Sequence, residues 1–230
     1  MAKLVRLIDM ERCMGCRACI AACHVENHFT PEAPWNVMME YEVGRYPHAR
    51  TVFATMNCMH CEDPPCMTVC DSIGVHAISK NALGVVLIDY DTCIGCQYCA
   101  AVCPYGVPQF NETVEPLYPR DAGETPYEQI PDPERHPTHR KKAHVVEKCT
   151  FCWHKLEKAV ANGETDQIGR KPEYTPSCDL VCPVDARFFG DVDDPHSEVA
   201  KRIGAKKAAQ LKKEYGTRPQ VYYVLEGGDY

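Results

Sequence analysis

Sixteen cysteines among 230 residues stand in four groups of four, with no cysteine outside them. The first group is Cys13, Cys16, Cys19 and Cys23, and the third is Cys93, Cys96, Cys99 and Cys103, followed by Pro104. Both have gaps of two, two and three residues. The second, Cys58, Cys61, Cys66 and Cys70, is stretched. The fourth is split: Cys149 and Cys152 are separated by 25 residues from Cys178 and Cys182, which Pro183 follows. Thiols this dense confine the chain to loops wrapped around shared metal.

The run C-x2-C-x2-C-x3-C-P is the spacing with which bacterial ferredoxins hold [4Fe–4S] cubes. Gaps of two residues let one tight loop present three sulfurs to one cube. The fourth sulfur lies about one helical turn further on and ligates a neighbouring cube. Proline after it fixes φ where the chain changes direction. Sixteen thiols therefore suffice for four [4Fe–4S] clusters.

Chain length suggests the pairing. Only residues 71–92 separate Cys70 from Cys93, a length suited to a hairpin within one ferredoxin unit. Groups two and three are thus expected to pair, giving one cluster on Cys58, Cys61, Cys66 and Cys103 and another on Cys70, Cys93, Cys96 and Cys99. Groups one and four pair by elimination, giving clusters on Cys13, Cys16, Cys19 and Cys182 and on Cys23, Cys149, Cys152 and Cys178. Zinc is the chief rival, since C-x2-C knuckles also make tetrahedral sites, but knuckles rarely carry a third cysteine two residues on. A disulfide framework is weaker still, because this spacing matches no secreted scaffold.

The fold expected is α+β: two ferredoxin-like two-cluster units, one inserted in the other, with long surface loops. Residues 1–47 and 144–230 would form the outer unit, 48–115 the inner unit and 116–143 an extended arm. Clusters replace much of an apolar core, so the metal-free chain is not expected to fold. The formal charge of −7 becomes more negative when loaded, since each oxidised cube with its thiolates carries roughly −2. Nucleic acid is then an unsuitable partner. Basic residues at 139–142 and along Lys201, Arg202, Lys206, Lys207, Lys212 and Lys213 read as solvated faces, or as docking for an acidic partner or anionic lipid. No stretch approaches the ~20 apolar residues of a membrane span. The N-terminal MAKLVRLID has neither an apolar signal core nor twin arginines, so membrane attachment is expected only through another subunit.

Strands are expected at Leu4 to Asp9, His48 to Met56, Gly84 to Tyr90 and Gln220 to Leu225. Helices are expected at Ile20 to Glu26, His154 to Ala161 and Glu198 to Tyr215. Phe29 to Pro47 reads as a linker. The proline-rich stretch from Phe110 to His139 reads as a loop serving as a partner-contact arm or lacking order, and 153–177 as a second insertion. Met14, Met59, Ile94 and Tyr98, inside the cysteine loops, are expected to shield clusters or simply to pack. His24 and His60, beside ligands, are candidates for hydrogen bonds that tune a potential. No nucleophile elbow, phosphate loop or zinc-hydrolase helix is visible, so no catalytic residue is assigned.

Several stretches carry a resemblance: Cys58-Met-His-Cys-Glu-Asp-Pro-Pro-Cys66, Cys93-Ile-Gly-Cys-Gln-Tyr-Cys-Ala-Ala-Val-Cys-Pro-Tyr-Gly106, Lys148-Cys-Thr-Phe-Cys152 and Phe189-Gly-Asp-Val-Asp-Asp-Pro195. These resemble the four-cluster iron–sulfur (beta) subunits of molybdopterin oxidoreductases, the dimethyl sulfoxide reductase family. That family includes polysulfide, thiosulfate and arsenate reductases and formate dehydrogenases. The family's ligand pairing is the one derived above. Asp71 follows Cys70 where the family usually has proline, and His24 follows Cys23; cysteine nevertheless stands at every ligand position. The resemblance implies a non-catalytic electron-transfer subunit of anaerobic respiration. Its partner would be a large molybdopterin (molybdenum or tungsten) catalytic subunit, with room for a quinone-linked membrane anchor. It allows a location on the cytoplasmic face, or in the periplasm by export with the catalytic partner. A free polyferredoxin carrier and a hydrogenase-type subunit are the alternatives.

Overall fold

The computed structural model describes residues 2–114, 125–140, 142–205 and 208–224. Helices and sheets are mixed, and every sheet is small. The largest is built on β1 (Leu4–Asp9), whose six residues are all buried. Strand alternation gives it two working faces. Leu4 and Ile8 enter the main core, whereas Val5 and Leu7 join Val199 and Val224 in a separate apolar cluster. Arg6 lies on the same face as Leu4 and Ile8 and is fully buried.

After β1 the first cysteine loop leads into α1 (Ala18–Asn27). The stretch expected to be a linker contains β2 (Asn36–Val43), which pairs antiparallel with β3 (Arg50–Asn57) from Asn36 opposite Asn57 to Val43 opposite Arg50. The hairpin joins stretches that the cysteine spacing assigns to different units. The strand is hard to see in the sequence because Asn36–Val43 is mostly half-buried or exposed and has no clean apolar alternation. Next come α2 (Pro65–Ser72), the short pair β4 (Ile78–Lys80) and β5 (Val86–Ile88), and α3 (Tyr98–Val102). Then β6 (Gln109–Asn111) pairs antiparallel with β7 (Val145–Glu147), so the chain between them starts and ends at one place.

Residues 115–124 of the expected arm lie outside the described residues. Residues 125–140 pack on this chain itself. Tyr127 stacks on His28 with ring centroids 3.5 Å apart, His136 Nε2 meets Glu157 Oε2 at 2.8 Å, and Arg140 Nη1 donates to Asp91 Oδ2 at 3.1 Å. The second insertion opens with α4 (Trp153–Ala161) and continues as a polar knot. There Lys171 Nζ and Tyr174 Oη both donate to the Glu164 carboxylate, at 2.6 and 2.5 Å. It closes with the single turn α5 (Ser177–Leu180).

The last third completes the β1 sheet with β8 (Arg187–Asp191), α6 (Glu198–Ala205), β9 (Ala208–Ala209) and β10 (Val221–Val224), in the order β8-β1-β10-β9. β1 runs antiparallel to β8 and parallel to β10. The long basic helix expected to reach Tyr215 ends at Ala205 instead. The chain then gives Ala208 and Ala209 to the sheet edge, opposite Val224 and Tyr223, so pairing with β10 overrides helical continuation. Among the described residues no helix is long and apolar enough to cross a membrane.

Truncating Leu7, fully buried between β1 and α6, is expected to destabilise the iron-loaded protein by about 2–5 kcal/mol. Anaerobic denaturant titration of Leu7→Ala should show a lowered midpoint with an unchanged slope.

Candidate metal centres

Groups one and three fold alike. The Asp9 carbonyl accepts the Cys13 N–H at 3.1 Å, and the Asp89 carbonyl accepts the Cys93 N–H at 3.0 Å. Gly15 and Gly95 follow at φ 71° and 68°. Arg17 and Gln97, each at φ 61°, then open α1 and α3. Left-handed residues between cysteines curl each loop, so that its sulfurs turn to one side. At Gly95 the need for glycine is twofold, because an added Cβ would also lie 2.1 Å from the His144 carbonyl oxygen. At Gly15 the obstacle is the Phe53 side chain at 2.7 Å, which can give way.

Groups two and four share a different pattern. His60 N–H donates to Cys58 Sγ and Phe151 N–H to Cys149 Sγ, both at 3.4 Å. His60 and Phe151 have φ of 43° and 54°, and their rings face each other with centroids 3.8 Å apart. At the far end of each group, Ala77 N–H donates to Cys70 Sγ at 3.3 Å and Ala186 N–H to Cys182 Sγ at 3.2 Å. The chain thus repeats itself internally, with one matching three and four matching two.

Three cavities are lined by sulfur. Cys13, Cys16, Cys19 and Cys182 line one. Cys58, Cys61, Cys66 and Cys103 line a second, and Cys70, Cys93, Cys96 and Cys99 a third. The remaining Cys23, Cys149, Cys152 and Cys178 are all buried. Asn27 Nδ2 lies 3.6 Å from Cys23 Sγ and 3.7 Å from Cys152 Sγ. Burial, reinforced by Cys178, Cys149 and Cys152, pushes the Cys23 thiol well above its ordinary range. Met59 is buried, whereas Met14, Ile94 and Tyr98 line their cavities yet keep their outer surfaces in solvent.

The surroundings fit iron–sulfur cubes. Burial, then the neighbouring Cys58, holds the thiols of Cys61 and Cys66 up to about 12, and burial with Cys93 holds Cys99 at about 11. Without metal these sulfurs keep their protons, and soft iron is what displaces them. Among the described residues no group of three or more His, Cys, Asp or Glu is arranged to hold a single ion. Buried donors lacking a protein acceptor are also present: Arg6 Nη1 and His60 Nε2. Burial, together with Lys148 and Arg6, pushes His60 well below its ordinary range, so it is neutral. Val86 N–H donates to its Nδ1 at 3.0 Å, which leaves the ring hydrogen on Nε2. His24 packs instead as a stacked ring on Phe29, centroids 4.8 Å apart.

Buried cations accompany the sulfurs; of these only Lys148 stands in a motif noted in the sequence. Lys148 is fully buried in the wall of the Cys58 cavity, its amine donating to the Val86 carbonyl and to that of Cys149 at 3.3 Å. Arg6 and Arg187 both clasp Asp179, with Arg6 Nη2 at 2.7 Å and Arg187 Nε at 3.1 Å from its oxygens. All three side chains are at most 3% exposed.

A model described as a 4Fe-4S dicluster domain matches residues 49–118, and a second of the same description matches 85–158. The arsenate respiratory reductase iron–sulfur subunit ArrB of Shewanella sp. strain ANA-3 is 34% identical over 98% of this chain and 97% of its own length. A selenate reductase subunit from Mesobacillus selenatarsenatis is 34% identical, covering 96% of this chain and 71% of its own. The chain belongs to the iron–sulfur subunits of the molybdopterin oxidoreductases. The iron–sulfur cluster-binding subunit of the menaquinone reductase of Nitratidesulfovibrio vulgaris is similar too, at 35% identity over 95% of this chain and 87% of its own length. Membership makes the chain an electron-transfer subunit with four [4Fe–4S] clusters and sets aside the free polyferredoxin and hydrogenase readings.

Removing iron with a chelator should abolish any cooperative thermal transition, because sulfur-lined cavities would be left open within the core. Gly95→Ala should lose about four of the chain's sixteen irons on elemental analysis, whereas Gly15→Ala, strained at φ 71° but meeting a side-chain ring rather than backbone, should lose fewer.

Proposed function

We propose that this chain relays electrons between a molybdopterin catalytic subunit and a quinone-linked membrane partner. Its clusters are held by Cys13, Cys16, Cys19 and Cys182; by Cys23, Cys149, Cys152 and Cys178; by Cys58, Cys61, Cys66 and Cys103; and by Cys70, Cys93, Cys96 and Cys99. On this pairing one ferredoxin-like unit, built on groups two and three, is inserted between the halves of another. The observation that carries the reading is the sulfur lining: three of these quartets each enclose their own cavity. The internal repeat supports it as well, since group four matches group two in backbone-to-sulfur hydrogen bonds and group one matches group three in its aspartate-carbonyl bonds and left-handed residues.

When bound, each cube takes up and releases one electron at a potential set by hydrogen bonds, charge and burial. The residues of this chain tie each site to the next. Arg187 lines the Cys13 cavity and reaches Cys178 Sγ at 3.5 Å, linking the first quartet to the second. Asn57 donates to the Cys58 carbonyl at 2.8 Å and lies 4.0 Å from Cys149 Sγ, linking the second to the third. α2 and α3 carry Cys66, Cys70 and Cys99 and pack together, linking the third to the fourth. Cys16 and Cys96 are exposed, so the two outer quartets present the faces at which partners exchange electrons. The relatives' names place arsenate, selenate and menaquinone beside such subunits. Membrane association is read here as coming through the quinone-linked partner.

Anaerobic native isolation with whole-complex mass spectrometry and metal analysis tests the assembly. A large chain bearing molybdenum or tungsten should accompany about sixteen irons on this subunit. A metal-loaded monomer with no such partner would overturn the reading. Ligand pairing is tested by electron paramagnetic resonance (EPR): Cys16→Ser and Cys182→Ser should alter one and the same signal, and Cys23→Ser a different one.

A further inference from the structure

The two halves of the internal repeat differ most in charge. Matching the cysteine loops places Arg6, Asp179 and Arg187 of one half opposite Val86, Met67 and Ile78 of the other. Three buried charged groups thus stand where the sister half is apolar. Both arginines donate to one sulfur: Arg6 Nη2 lies 3.3 Å and Arg187 Nη2 3.5 Å from Cys178 Sγ. The two share a single carboxylate, Asp179, which leaves one buried positive charge without a counter-ion among the described residues. Arg6 Nη1 has no protein acceptor, and the guanidinium is pinned over the Phe151 ring, 4.7 Å from its centroid. A buried unpaired cation is costly unless an anion completes it. The cluster at Cys178 is such an anion, and adding an electron makes it more negative.

We propose that Arg6 and Arg187 hold the cluster at Cys178 at a higher midpoint potential than the cluster at Cys70, Cys93, Cys96 and Cys99, whose cavity wall carries no charged side chain. Charge-assisted N–H donation to a ligand sulfur stabilises the reduced state in a dry interior. The electron is therefore held more firmly at the Cys178 cluster than at the Cys70 cluster, and the Cys178 cluster adjoins the Cys13 quartet that Arg187 also lines. The two arginines are positioning residues that act through Cys178. This rests on the ligand pairing proposed above.

The test is an EPR-monitored redox titration of the anaerobically isolated complex, with iron counted in parallel. Arg6→Met keeps the Arg187–Asp179 pair and mimics the apolar sister half. It should lower one midpoint so that the reduced-to-oxidised ratio at fixed potential falls about tenfold or more, or about 59 mV for one electron. The signal that moves should be the one altered by Cys178→Ser, iron content should stay complete, and Arg6→Lys should restore most of the midpoint. Arg187→Met should lower the same signal. Unmoved midpoints with full iron, or movement of a signal other than that of Cys178, would overturn the proposal. So would iron loss in both methionine variants with Arg6→Lys restoring iron but not the midpoint, since the arginines would then only hold the fold. Failure of the ligand pairing reads out separately, as Cys178→Ser and Cys23→Ser altering different signals.

Discussion

Thiolate ligation is the bond on which the rest of this molecule depends. The main core is not a continuous apolar mass, because Cys19, Cys23, Cys58, Cys61, Cys149 and Cys178 are part of it. Burial holds the thiols at Cys23, Cys58, Cys66 and Cys152 protonated well above neutral pH in the absence of metal. Protonated, Cys58 and Cys66 would line a void that no side chain fills, and such a void forfeits packing on its walls. Iron resolves both costs together, by taking the protons' place and by filling the space. The loops are consistent with this, since their left-handed residues would be poor choices in a fold held by packing alone.

The duplicated plan and its broken symmetry have separate physical origins. Cysteine spacing dictates the plan, because a cube asks for the same loop curvature wherever it is bound. Nothing in ligation asks for Arg6, Asp179 and Arg187, or for the buried Lys148. Charges without water are retained only where an anion answers them. Arg6, Asp179 and Arg187 gather at Cys178 and Lys148 at the Cys58 quartet, so their placement follows what each site must do rather than what it must hold. The tilted ring pair His60 and Phe151 shows the same divergence at the contact between halves: equivalent backbone, one polar ring and one apolar ring.

Much of this was legible in the sequence. β1 and β10 lie within a residue of where their apolar runs indicated, as does α4. Cysteine spacing was enough to name the cofactor and the number of clusters. β2 was missed because its alternation is weak, and α6 was drawn too long because basic helical periodicity says nothing about a sheet edge waiting for Ala208 and Ala209. The Arg6–Asp179 contact spans 173 positions, and each residue by itself looks like an ordinary surface charge. Local pattern carries no signal for a contact of that kind. Only the strand register, which turns Arg6 inward with Leu4 and Ile8, reveals it.

A relay also has to balance isolation against access. Its inner sites gain from dryness, because a low dielectric strengthens each fixed charge and hydrogen bond aimed at sulfur. Its outer sites must admit a partner to within tunnelling reach. The cysteines divide accordingly: Cys23, Cys149, Cys152 and Cys178 are all buried, whereas the Cys13 and Cys93 loops present Cys16 and Cys96 at the surface with Met14 and Ile94 beside them, 58% and 65% exposed. Apolar side chains that cover a metal site yet face water suit a contact that dries on docking. The polar knot around Glu164 and the segment 125–140 are held by this chain's own hydrogen bonds, the latter to Glu157 and to Asp91, which stands two residues before Cys93.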